Sequence, residues 1–237
     1  MWGEVDMNIR LLTLVFALGA LAAAAGAQTI VQQHFAISNR PEPTSDMDLT
    51  TPTKTGSMLI AMPAPRAPGV KVESVTDNAP GGSNTYKQVP EAASSCGKTQ
   101  SLDIWYCENC KGGVTELKFH LASGARLSVN SFLELANMQK TSALDGTGAH
   151  VNDGTRTAEG VEVGPSITTT ATDFVIAKYY SSNPIPTAVT PTWWTYKTTY
   201  VYATDLPPGT HQPKLTGPGT GGEYCMSMAA FQTAPHH

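Results

Sequence analysis

Between Thr29 and Phe231 the chain is cut into short apolar and β-branched runs, punctuated by glycine, proline, asparagine and aspartate. No stretch sustains the 3.6-residue period of an amphipathic helix, and this constrains the fold more than any other feature. Segments 29–37, 57–62, 70–75, 102–107, 114–121, 167–172, 173–180, 192–204 and 223–231 read as strands. Residues 85–89 are expected to return from the turn at 77–84 as a hairpin. Residues 38–56 are polar and proline-rich and read as a loop, as does the Gly/Asp/Thr-rich stretch 141–159. A helical turn fits only at 125–136. About ten strands in roughly 200 residues predict an all-β fold, a two-sheet antiparallel β-sandwich of jelly-roll or immunoglobulin-like kind, forming one domain over 28–237.

Composition agrees with that class. Charged residues are 14% of the chain, against about a quarter in ordinary domains, so the Lys and Glu that coat surface helices are scarce. The first 27 residues explain where such a chain works. Arg10 precedes an uncharged apolar run over 11–24, and Ala25-Gly26-Ala27 then presents small residues. That is the pattern of a secretory signal peptide, with cleavage expected between Ala27 and Gln28. The run is short of the roughly 20 residues that span a bilayer, and no later segment is long enough. Translation can start at Met1 or Met7. Excision of residues 1–27 leaves 14 basic and 17 acidic side chains, a weakly acidic balance. It argues against nucleic acid, which needs a basic patch, and against anionic lipid. The expected location is extracellular or on the cell surface.

In an oxidising compartment the four cysteines, Cys96, Cys107, Cys110 and Cys225, read as a disulfide framework. Cys107-Glu108-Asn109-Cys110 has no second CxxC and no nearby histidine pair, which weighs against zinc. It ends a strand-like run instead of opening a helix, which weighs against thioredoxin-type redox chemistry. Three pairings are open. The favoured one joins Cys96 to Cys110 around one strand and Cys107 to Cys225 across a long loop.

Several short elements resemble, in order, a loosely defined group of secreted bacterial β-sandwich proteins of mostly unassigned function. They are Ser74-Val75-Thr76-Asp77-Asn78 with Asn84-Thr85-Tyr86, then Asp103-Ile104-Trp105-Tyr106, Lys111-Gly112-Gly113-Val114-Thr115 and Ala229-Ala230-Phe231. The resemblance spans 57–232 and implies a jelly-roll or immunoglobulin-like surface module. It carries no catalytic motif.

The chain lacks a G-x-S-x-G elbow, H-E-x-x-H and a phosphate-binding P-loop. Gln28 as the mature first residue disfavours a copper site built on an N-terminal histidine. His120 falls on the polar side of an alternating strand and reads as an exposed histidine. Asp77 and Asn78, and Asp145, Asn152 and Asp153, offer oxygens of the kind Ca²⁺ takes, although such residues also cap turns. Glu108, Glu134 and Asp173 are available for a paired-carboxylate site, but nothing in the sequence brings two of them together. The richest stretch is 191–202. Trp194, Tyr196, Tyr200 and Tyr202 share one strand parity, with Trp193 on the opposite side. Four flat rings on one strand face would stack on sugars; the competing reading packs them in the core.

These features point to a secreted, non-catalytic module that recognises carbohydrate or another extracellular polymer through the aromatic face. One alternative is a hydrolase or lyase acting on polysaccharide, for which a cleft holding two acids would speak. Another is an envelope or filament subunit assembling through an exposed edge such as 29–37.

Overall fold

The computed structural model describes residues 28–37, 44–66, 70–96, 100–122 and 129–235. The expected signal peptide and the terminal His236 and His237 lie outside them. The described residues form twenty strands and no helix. Two five-stranded sheets dominate. The first has the spatial order β1 (Thr29–Ile37), β10 (Val129–Ala136), β3 (Met58–Met62), β8 (Trp105–Cys107) and β5 (Lys87–Gln88). The second runs β11 (Ala149–Thr155), β20 (Glu223–Gln232), β14 (Asp173–Ser181), β17 (Tyr200–Leu206) and β16 (Thr195–Lys197).

Four smaller sheets complete the set. They are β2 (Thr44–Asp48), β9 (Glu116–Leu121) and β4 (Val72–Asp77); β12 (Val161–Val163), β19 (Lys214–Thr216) and β15 (Ala188–Thr190); β6 (Ser94–Cys96) with β7 (Gln100–Leu102); and β13 (Ile167–Thr169) with β18 (Gly209–His211). Every pairing is antiparallel.

The period of two along each strand sorts side chains between layers. On β10 and β3, Leu133, Leu135, Met58 and Ile60 meet Phe174, Ile176, Ala229 and Phe231 of the second large sheet. The alternate residues Phe132, Leu59 and Ala61 turn the other way, onto Leu117 and Phe119 of β9. The second sheet is likewise covered on both faces, because Val175, Ala177 and Met226 pack on Leu215 and Ile167. This explains why β3, β14 and β20 read as unbroken apolar runs, as strands buried on both faces do.

Several expectations are corrected. Segment 38–56 contains β2, whose register on β9 pairs Met47 with Leu117. Segment 141–159 contains β11, and residues 129–136 form a strand where a helical turn was considered. Strand β4 pairs with β9, and β5 with β8, so 72–89 is no hairpin. Residues 102–107 split at Asp103-Ile104 between two sheets. The cysteines pair as Cys96–Cys225 and Cys107–Cys110, not as favoured above. The turn after β8 brings Cys110 back beside Cys107, while β6 lies against β20 and aligns Cys96 with Cys225.

Candidate functional site

The aromatic stretch is not one strand. Thr198-Thr199 reverses the chain between β16 and β17, pairing Tyr196 with Val201 and Thr195 with Tyr202. The shared parity across 194–202 is therefore broken at the turn. Trp194 is buried, and both it and Tyr196 pack on the outer side of the second large sheet. Tyr200 and Tyr202 go to the opposite side, against the core between the two large sheets. The Tyr200 hydroxyl donates to Gln33 Oε1 at 2.7 Å. Only Trp193, 56% exposed, offers a broad open ring in this stretch.

The other sequence candidates are held by internal partners. Asp77 Oδ1 accepts from the backbone N–H groups of Ala79 and Asn84, and Oδ2 from Asn84 Nδ2 at 2.7 Å and the Tyr86 hydroxyl at 2.9 Å. Asn78 Oδ1 accepts from the N–H of Thr115 and of Glu116. These residues clip a turn, as Asx side chains do. Asp145 accepts from the Thr170 N–H and hydroxyl and from the Ala171 N–H. No cluster of three or more metal-ligating side chains occurs among the described residues, and the calcium reading loses its ligands at Asp77, Asn78 and Asp145. The His120 ring meets the Thr76 hydroxyl at 2.8 Å, a cross-strand contact between β9 and β4.

The three acids also stay apart in their roles. Glu134 is buried and accepts from Ser57 Oγ and Lys54 N at 2.7 Å and from Gln32 Nε2 at 2.6 Å. It ties the 54–57 turn to β10. Glu108 bridges Lys87 at 3.2 Å and caps the Ala143 N–H. Asp173 is buried beside Asp145 with no donor to either oxygen. Burial first, then the neighbouring Asp145 carboxylate, push its carboxyl up to about 8.

What the fold does assemble is a cleft of about 440 Å³ between the start of β4, the β5–β6 connection, the end of β7 and β11. Its polar wall is Asp103, Glu91, His150, Asn152, Lys71 and Ser101. Asp103 sits where the chain leaves β7 for β8. Its Oδ2 accepts from Gln88 Nε2 at 2.8 Å and Trp105 Nε1 at 2.9 Å, and Oδ1 from the Ile104 N–H. Burial pushes the carboxyl up to about 6, against the pull of those three donors and of Lys71.

His150 and Asn152 project from one side of β11, two residues apart. Nδ1 of His150 lies 2.7 Å from the Glu91 carbonyl and donates to it, which in the neutral ring leaves Nε2 as an acceptor. Asn152 Oδ1 accepts from the Ser95 N–H at 2.8 Å, which leaves its amide hydrogens to donate. Glu91 holds a left-handed backbone, with φ of 60°. Such strain in a non-glycine residue persists only where the surroundings over-determine it. Gly148 lets this wall close, because a Cβ there would meet the Pro90 carbonyl at 2.8 Å. The wall thus offers carboxyl and imidazole acceptors beside amide and ammonium donors, over a floor of Val72, Val89 and Leu102.

Of these residues the sequence pointed to Asn152, as a calcium candidate, and to Asp103, within the resembling Asp103–Tyr106 element, and it placed neither in a shared cleft. His150 and Asn152 sat in a segment read as loop. No helix among the described residues is long and apolar enough to cross a membrane. No family model matches the chain, and neither a curated protein nor a solved structure does.

Proposed function

We propose that this chain is a secreted, non-catalytic β-sandwich module, of jelly-roll or immunoglobulin-like kind, that recognises carbohydrate or a similarly hydroxyl-rich extracellular polymer. The observation that carries the reading is the 440 Å³ cleft, where mixed donors and acceptors line a partly apolar floor. Sugar recognition uses that combination: paired hydroxyls need both partners at once, and C–H faces need apolar surface. The contact surface moves from the aromatic stretch to the cleft, since burial of Trp194 and Tyr200 leaves Trp193 as the remaining aromatic contributor. A glycan array with the oxidised protein tests it. His150→Ala with Asn152→Ala should abolish the array signal and leave the thermal midpoint within a few degrees of the parent. Silence across the array, or signal that survives the double substitution, refutes the site.

A second reading has its own observation. Asp103, a carboxyl raised to about 6, lines the same cleft as Glu91, and an acid–carboxylate pair is what glycoside hydrolysis uses. A hydrolase would release reducing ends from a bound glycan and lose that turnover in Asp103→Asn while still binding. A binding module releases none.

A further inference from the structure

Lys178 lies near the end of β14, on the face that Phe174 and Ile176 turn into the core between the two large sheets. It is 1% exposed. An ammonium taken out of water needs a carboxylate partner, and among the described residues none lies within ion-pair distance of it. Nζ instead donates to Ser131 Oγ at 2.8 Å and to the Val129 carbonyl at 3.1 Å. Ser131 Oγ is in turn 2.8 Å from Thr199 Oγ1. Two donated hydrogen bonds match the two N–H bonds of a neutral amine and leave its lone pair uncommitted. Burial alone brings the group down to about 7.

The side chain also lines a cavity of about 120 Å³, walled by Gln100, Leu102, Thr198, Thr199 and Ile185 among others. Among the described residues no acid and no guanidinium lines it, and its other titratable groups there are Tyr179 and Tyr180. One water needs about 10–15 Å³, so the space takes a small molecule of several heavy atoms. Leu102 separates it from the larger cleft.

We propose that Lys178 is a reactive amine that captures a small aldehyde as an imine. The Nζ lone pair attacks the carbonyl carbon, and the C=O π electrons move to oxygen. The nitrogen gives up a proton and the oxygen gains one, with the Ser131 hydroxyl in place to relay it. The carbinolamine then loses its hydroxyl with a proton as water while C=N forms. Amine and aldehyde become imine and water, with no change of oxidation state. An aldehyde fits better than a keto acid, because among the described residues no second cation lines the cavity to pair with a carboxylate once the amine is neutral. This site is independent of the glycan cleft.

The test is reductive trapping on the intact, oxidised chain, using glycolaldehyde with cyanoborohydride at pH 7 and peptide mapping of every lysine. At that pH an exposed lysine holds roughly one amine per few thousand ammonium ions, so Lys178 should label at least about tenfold faster than Lys87 or Lys118. Its labelling rate should level off above about pH 7.5, whereas exposed lysines keep gaining to pH 10. Lys178→Met removes the fast label and leaves the others unchanged. Should that variant fail to fold, the map of the unmodified chain decides alone. Uniform labelling, or Lys178 unlabelled while surface lysines react, overturns the proposal.

Discussion

Replacing Cys96 and Cys225 together by alanine opens the longer of the two covalent loops. These cysteines are 129 residues apart, both are buried, and they pack with Ala64 and Leu102. Chain-entropy bookkeeping assigns roughly 5 kcal/mol to closing a loop of that length, and about 2 kcal/mol to the three-residue separation of Cys107 and Cys110. With a urea dependence of about 2 kcal/mol per molar, the long-bridge variant should unfold at a midpoint lower by roughly 2.5 M and the short-bridge variant by about 1 M. The measurement is equilibrium urea denaturation of the two double-alanine variants, with thiol titration of each in denaturant. Each variant removes one whole bridge and leaves the other intact, so neither should show a free thiol. If the cysteines were paired as 96–110 and 107–225, either double substitution would break both bridges. Equal losses of stability, or two titratable thiols in either variant, would refute the pairing and the placement of β6 against β20.

Three other outcomes follow from buried groups and an open edge. Asp173 titrates near 8 when folded and near 4 when unfolded, so its contribution to stability is complete below pH 4 and is lost as pH rises through 8. Asp173→Asn should therefore gain on the parent between pH 5 and pH 8 in paired urea melts, and a constant difference would sink this account. Arg156 and Glu162 form a fully buried pair at 2.9 Å, with the guanidinium also donating to the carbonyls of Pro184 and Pro218. Arg156→Met strands the Glu162 carboxylate, and denaturation should report a loss of about 3–5 kcal/mol; a loss under 1 kcal/mol would contradict the burial. Strand β1 borders its sheet with nine residues that carry no Lys, Arg, Asp, Glu or Pro, and Phe35 on it is 64% exposed. Such an edge invites strand addition, so light scattering should show concentration-dependent association that Phe35→Lys suppresses. A strictly monomeric parent would rule it out.

The strand character of this protein was legible because period-two and all-apolar runs are local signals, and β1, β14 and β20 lie within a residue or two of where those runs place them. The turn at 77–84 was legible for the same reason, since Asp77 and Asn84 supply its hydrogen bonds from within the segment. Segments 38–56 and 141–159 hide strands because β2 and β11 are stabilised by β9 and β20, far along the chain, and not by their own pattern. The four-ring aromatic face failed at one point: nothing in Thr198-Thr199 announces a reversal as Asn-Gly would.

Sequence alone therefore determined the class, an all-β chain with paired cysteines and short antiparallel strands. Tertiary structure decided which cysteines meet, which face each aromatic serves, and that Asp103, Glu91, His150 and Asn152 share one cleft. It also decided that Lys178 is buried with no counter-ion among the described residues. The physical reason is range. Backbone alternation and turn chemistry act over a few residues, whereas the Cys96–Cys225 bridge, the cleft and the buried Lys178 depend on strands brought together from distant parts of the chain, 129 residues apart for that bridge.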